Sequence, residues 1–227
     1  SVSHLKIPLI SHEIGQYQIY PDYNEINKYT GVLRARNLEI FRNRLIKSGM
    51  MTQNKDFQKA SGAWAARCYN AEMETAIRTR GMGGFQLLDL QDFPGQGTAL
   101  VGILDAFMDS KNVISAEKWR QSCNDVVLLA EFQKYCWTNH ENFSANISVA
   151  NYLPEVIKNK LEWKLTDNNG AIIKKGILNS VKPAAGDIST IGSIEVDLSP
   201  IRNAKRLNLE LSLTGNKEYS NSYPIWV

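Results

Sequence analysis

Two ionisable side chains, His12 and Glu13, follow directly on an apolar run in "KIPLISHEIGQYQIYPD", and Gly15 lets the chain turn away just after them. A second stretch, "GFQLLDLQDFPGQG", places Asp89 and Asp92 beside Gln86, Gln91 and Gln96. Carboxylates, amides, an imidazole and the aromatics Tyr17, Tyr20 and Phe93 make up a set suited to hydroxyl-rich ligands, which need paired hydrogen bonds and an apolar platform. Cleavage of a glycosidic bond requires two carboxyl groups flanking it, one of them ionised to attack or stabilise an oxocarbenium-like centre. Glu13 is a candidate for that nucleophile. On residue type alone the plainer reading is a solvated turn residue, because H-E-x-G by itself is a weak motif. Asp89 and Asp92 read first as structural hydrogen-bonding groups.

These residues must be held by elements, and the chain changes character near residue 125. Before it, helical periods dominate. Leu38, Phe41 and Leu45 recur at three and four residues in "VLRARNLEIFRNRLIKSG", with Arg and Lys opposite and Gly49 as a C-cap. A second helix is expected from about Asp56 to Thr79, ended by Gly81. Its packed stripe is read as Phe57, Ala60, Trp64, Cys68 and Ala71. Phe85 to Phe93 reads as a strand bounded by glycines. "TALVGILDAFMDSK" reads as a third helix capped by Thr98, and "SAEKWRQSCND" as a short one capped by Ser115. Strand, two helices, strand, helix implies parallel pairing in an α/β sheet, whose chemistry lies at the carboxyl ends of strands.

From about Val126 the period becomes two. "VVLLAEF", "FSANISVANY", the hairpin "KLEWKLTDNNGAIIKKGIL" turning at Asp167–Gly170, "GSIEVDLSPI", "RLNLELSLTG" and "YSNSYPIWV" make about seven short strands. The expected fold is therefore α/β followed by an all-β, immunoglobulin-like sandwich, with residues 1–125 and 126–227 as the two domains. Pro200 and Pro224 suit strand ends or edges, and Trp163 reads as core. Two parallel strands with their helices leave sheet edges open, so residues 1–125 do not complete an α/β domain.

Lys+Arg 26 against Asp+Glu 23 leaves a net charge of +3. That balance excludes the polybasic density that nucleic acid or an anionic membrane demands. No apolar run approaches a membrane span, and no charged leader with an apolar core opens the sequence, so no signal peptide is expected in this chain. Cys68, Cys123 and Cys136 lack any C-x-x-C and read as buried or semi-buried thiols. His4, His12 and His140 have no ligand spacing; no metal and no cofactor is expected.

"PLISHEIGQYQIYPDYNEINKYTG" followed by "GGFQLLDLQDFPGQGTALVGILDAFMDSK" resembles the C-terminal part of large multidomain bacterial glycosidases related to glycoside hydrolase family 2, the β-galactosidase-like group. The closing "NSYPIWV" resembles the end of the sandwich that follows their catalytic barrel. The resemblance spans nearly the whole chain. It implies the last units of a (β/α)8 barrel, with Glu13 as the nucleophile at the end of the seventh strand and "GFQLLDLQD" as the eighth. His12, Gln86 and Asp89 are implied to line the sugar subsite. Two departures stand out: Ile14 follows the nucleophile where the family has Tyr or Phe before Gly, and the eighth strand lacks the usual Trp.

The family's general acid is a Glu in an Asn-Glu pair after the fourth strand, and no such strand precedes Ser1. The expectation is thus a C-terminal fragment of a retaining glycosidase that hydrolyses O-glycosidic bonds of β-galactoside-like substrates, inactive alone for want of its acid. Implied partners are a carbohydrate substrate and the remaining N-terminal barrel and domains of the same polypeptide; a homo-oligomer is left open by the sequence. Export to the periplasm or cell surface follows from the resemblance only. The competing class is a non-catalytic carbohydrate-binding or structural module, which would need exposed aromatics among Trp137, Trp163, Tyr223 and Trp226. Exposed apolar surface beside the two strands would favour the truncated barrel; a closed core there would favour the module.

Overall fold

Leu9–Gly15 (β1) and Met82–Leu88 (β2) pair in parallel as a two-stranded sheet in the computed structural model, which describes residues 4–227. A parallel pair needs a crossover, and here it carries helices Arg36–Lys47 (α1) and Asn54–Arg78 (α2). The expected strand–helices–strand unit is therefore present. Helix α1 buries Leu38 and Leu45 against Tyr23, Ala35 and Leu100, with Phe41 packed alongside. Arg44 and Lys47 occupy its last turn, where cations complement the helix dipole. Gly49, at φ +69°, follows the end as the expected cap.

Helix α2 is rotated relative to the expected stripe. Its buried face is Gly62, Ala65, Ala66, Tyr69, Met73, Ala76 and Ile77, whereas Trp64 is 66% exposed and Ala60 and Ala71 face outward. The reason is steric. A Cβ on Gly62 would lie 2.2 Å from Val113 Cγ1, so the helix can present only its small residues, Gly62, Ala65 and Ala66, at this end of its buried face. An indole turned inward would hold the helix away.

A second expectation fails at residues 98–111, which form no helix. The segment runs extended beside the end of β2. Asp92 N–H donates to the Leu104 carbonyl at 3.1 Å and Leu104 N–H to that of Leu90 at 3.1 Å. A Cβ on Gly102 would sit 2.2 Å from the Gln91 carbonyl carbon. The chain then turns on Asp105, whose Oδ1 accepts from the Phe107 amide at 2.9 Å and the Asp109 amide at 3.0 Å. Helical apolar spacing thus loses here to non-local backbone bonds and side-chain capture of the turn amides. The strand expected to reach Phe93 stops at Leu88, leaving one bridge between Gln91 and Leu104.

Contacts divide the chain into one unit running to Ala116 and another from Glu117 to Val227. Five residues, Ala116–Arg120 (α3), form the short helix after Ser115. The period change lies ten residues further on, at Val126.

The second unit holds seven strands in two antiparallel sheets. Val126–Glu131 (β3), Asn142–Asn151 (β4) and Asp187–Asp197 (β7) pair in the order β3-β4-β7. Asn159–Asp167 (β5), Ile172–Val181 (β6), Arg206–Leu213 (β8) and Asn216–Trp226 (β9) pair as β6-β5-β8-β9. Alternate residues of both sheets, among them Phe143, Ile147, Leu161, Leu165, Ile194 and Leu209, meet in one core, giving a β-sandwich. Trp163 belongs to that core, as expected, and Gly176 faces it across the β5–β6 pair: a Cβ there would lie 2.7 Å from the indole nitrogen. The hairpin turns where expected, with Asp167 Oδ1 accepting from the Asn169 amide at 2.9 Å and Gly170 at φ +79°. Pro224 sits on β9, the strand at one end of the four-stranded sheet, where a missing N–H is tolerated.

Phe143 is fully buried and Ile177 is 52% exposed. Phe143→Ala should cost about 3–5 kcal/mol and Ile177→Ala less than about 0.5 kcal/mol in chemical denaturation of the full chain.

Candidate functional site

The site is built where β1 leaves the sheet. Its register with β2 breaks between Ser11 and Ile14, and three of the four residues 13–16 adopt left-handed backbone: Glu13 at φ 56°, Gly15 at 104° and Gln16 at 66°. Glycine accepts this freely; for Glu13 and Gln16 it costs roughly 1–2 kcal/mol each. Helix α2 supplies what holds the turn. The Glu72 carboxylate accepts the Gly15 amide at 2.6 Å, and the Tyr69 phenol oxygen takes the Gln16 amide while donating to the Val101 carbonyl at 2.6 Å.

Of the four residues singled out from sequence, three come together. His12 Nδ1 lies 2.8 Å from Gln86 Oε1 across the parallel pair, and its Nε2 lies 3.5 Å from Glu13 Oε1. His12 and Glu13 are both solvent-exposed, so the pair contributes little to stability; its interest is geometric. Asp89 stands apart. It lies just past β2, its carbonyl accepts from Tyr69 at 3.3 Å, and its carboxylate makes no bond to the other three.

Sequence reasoning missed Glu72 and Tyr69, which are 50 to 60 residues from the turn they hold. It also missed a buried ionic cluster beside the end of β2. Asp92 is buried and accepts from Lys111 Nζ at 2.6 Å and from the Gly102 amide at 3.0 Å. Lys28 pairs with Asp105, and with Asp109 at 2.6 Å. Burial raises the Asp92 carboxyl despite Lys111. Burial acts the same way on Asp105, but the bonds from Lys28 and from the Phe107 and Asp109 amides outweigh it and leave that group below the usual range. Glu25, also buried, is pushed up to about 7 by burial and then by the charges of Asp92 and Asp105, against the pull of Lys111 and Lys28. The charged residues in "DYNEINK" and "LDAFMDSK" carry the signal, but the first looks like a solvated turn and the second like a helix face.

Among the described residues no group of three or more His, Cys, Asp or Glu is placed to hold a metal ion. The three cysteines are free, and Cys123 and Cys136 lie exposed, contrary to the expectation of buried or semi-buried thiols; neither falls on an inward strand position. No described helix is long and apolar enough to cross a membrane.

The sandwich carries a groove of about 980 Å³ along its four-stranded sheet, bordered by Glu162, Lys164, Lys175, Asn208, Glu210 and Ser212. Lys164 and Glu210 neutralise each other at 2.8 Å. Of the aromatics a sugar platform would use, Trp163 and Tyr223 are core residues, Trp163 reaching the groove only at its edge, Trp137 packs edge-on against Phe143, and Trp226 is half-buried.

Residues 141–227, less than half of the chain, match a family described as a domain of unknown function (DUF8488). No curated protein matches the chain. Similar solved structures include a β-glucosidase from Listeria innocua in complex with gluconolactone, at 12% identity and a TM-score of 0.35 over 45% of this chain and 16% of that one. A β-glucosidase from Erythrobacter marinus aligns at 8% identity and TM-score 0.34, over 44% and 15% of the two chains. The β-glucuronidase 2 of Bacteroides uniformis, covalently bound to a cyclophellitol-type aziridine, aligns at 15% identity and TM-score 0.30, over 44% and 12%. These neighbours are glycoside hydrolases, and the chain spans no more than 16% of the length of any of the three. At such identities and scores the likeness assigns nothing by itself.

The raised Glu25 carboxyl has a testable sign. Its folded pKa, about 7, exceeds the ordinary 4.5, so its stabilising contribution is complete below about pH 4.5 and lost as pH rises to about 7. Glu25→Gln should match the parent near pH 4 and exceed it by about 1–3 kcal/mol at pH 8, read from denaturation curves at both pH values.

Proposed function

We propose that the first unit forms part of the catalytic barrel of a retaining O-glycosidase, with Glu13 as the nucleophile. Among sugars, β-galactosides are the first substrates to test. The observation that carries the reading is the Glu13 carboxylate at the carboxyl end of a parallel strand, beside a His12–Gln86 bridge that spans to the next strand. That is the end of the sheet where α/β folds place their chemistry. The resemblance of "LISHEIGQYQIYPD" and "GFQLLDLQDFPGQG" to family 2-like glycosidases supplies the reaction class. In this reading Glu13 attacks the anomeric carbon, and the leaving-group oxygen takes its proton from a second carboxylic acid. His12 and Gln86 bind substrate hydroxyls; Asp89, which stands apart from them on the loop after β2, is assigned to the subsite by the resemblance alone.

The state of the parallel sheet favours a shared barrel over a stand-alone module. Neither β1 nor β2 contains a buried residue, although parallel strands are ordinarily covered on both faces. Ile7 and Ile10 are 67% and 53% exposed, and among the described residues the pair has no further strand on either edge. The reading therefore calls for further strands and assigns the general acid to them. The second unit is read as the immunoglobulin-like sandwich that accompanies such barrels.

Two measurements test this. The 227-residue chain alone should show no turnover of aryl β-glycosides above background, because protonation of the leaving group contributes roughly 10²–10⁴-fold. In the complete polypeptide Glu13→Gln should lower kcat by at least about 10³-fold. Turnover by this chain, or an unchanged kcat in the variant, refutes the assignment.

A further inference from the structure

We infer that Glu72 is the positioning residue for Glu13: its carboxylate, with the Tyr69 phenol one helical turn earlier, holds the left-handed turn on which Glu13 is mounted. The inference rests on the proposed nucleophile for its catalytic meaning and on geometry for the rest.

Nothing local accounts for the turn. The one bond within it, from the Gln16 amide side chain to the Glu13 carbonyl, is long at 3.5 Å. The restraint comes from α2. Positions 69 and 72 are i and i+3 and share a helix face, and they present two oxygen acceptors to two successive amides, those of Gln16 and Gly15. The Glu72 bond is short, 2.6 Å, and charge-assisted. Tyr17 closes the arrangement: its ring packs edge-on to Tyr69 at 5.6 Å and its hydroxyl bonds to Glu72. Burial, and after it Glu72, push the Tyr17 phenol up to about 12.

Slack is absent on the backbone side. A Cβ on Gly15 would lie 2.2 Å from Tyr69 Cε1, so the chain is pressed against the ring. Tyr69 and Met73 are fully buried, which anchors this part of α2. A rigid helix thus fixes the amides of Gly15 and Gln16, the second and third residues after Glu13. Glu72 touches no reacting atom in this scheme; it acts through the backbone.

The test uses the full chain labelled with ¹⁵N-glycine and with glutamate carrying ¹³C at the carboxyl. In Glu72→Ala the hydrogen-exchange protection of the Gly15 amide should fall on the order of ten- to a hundredfold, and the Glu13 carboxyl resonance should move. Glu72→Gln keeps an acceptor oxygen and should restore both toward the parent. Tyr17→Phe removes only one bond to Glu72 and should shift the Glu13 signal in the same direction by less, which keeps the test decisive if the alanine variant does not fold. Unchanged Gly15 protection and an unmoved Glu13 resonance in folded variants would overturn the inference. Because the readout is spectroscopic, loss of the nucleophile assignment and loss of the positioning role register separately. An inert Glu13 leaves the Glu72 result standing, and an unmoved Glu13 resonance leaves the nucleophile standing.

Discussion

The close approach of α2 to the β1–β2 pair is the constraint on which the first unit depends. It is possible because the facing strand residue is a glycine: a Cβ on Gly15 would lie 2.2 Å from Tyr69 Cε1. Close approach brings Tyr69 and Glu72 within reach of the backbone just after β1. Burial of the helix face stabilises the crossover, and the same burial delivers two hydrogen-bond acceptors to a turn that L-residues avoid. Local structure, packing and the placement of Glu13 are therefore one problem with one solution. A side chain at position 15 would disturb all three.

The loop after β2 is held by a different force. Asp92, Asp105 and Glu25 share a small volume with Lys28 and Lys111, and the Asp92–Lys111 pair is almost wholly buried. Burying charges is costly unless each is paired and hydrogen-bonded. Here the pairing is nearly complete, with Gly102, Phe107 and Asp109 amides adding to the lysines. Such a cluster fixes geometry more than it stabilises. It holds residues 98–111 extended, and so fixes the path of the chain that leaves β2. The raised Glu25 carboxyl is the residual cost of placing a third acid there.

Much of this was legible from the residues. Alternation in "FSANISVANY" and "KLEWKL", and the Asp167–Gly170 turn, define the sandwich because a half-buried strand has a period the sequence must obey. Parallel pairing of β1 and β2 followed from the helices between them. Three things were hidden. The face that α2 buries is chosen by close approach, and Trp64 sits one position from Ala65, a rotation of about 100° that periodicity cannot distinguish when both faces carry apolar residues. The stretch from Thr98 to Lys111 has helical spacing, but Asp92 and Lys111 draw it into an extended path by bonds whose partners are distant in sequence. Glu72 reads as a charged helix residue until the turn it holds is in view. Local patterns name elements; non-local hydrogen bonds decide where they go.

The second unit repeats the lesson in simpler form. Its core is fixed by alternation, and polar ties join β9 to β3: Asn221 donates to the Leu128 carbonyl at 2.8 Å, and the Tyr223 hydroxyl donates to the same carbonyl and accepts the Ala130 amide, each at 3.2 Å. The central functional claim belongs to the first unit and concerns a single oxygen nucleophile. The most direct measurement is covalent trapping in the complete polypeptide with a mechanism-based 2-deoxy-2-fluoro β-glycoside, followed by peptide mass spectrometry. The account predicts one glycosyl adduct on the peptide containing Glu13, absent from Glu13→Gln. An adduct on another carboxylate, or one that persists in that variant, would contradict it.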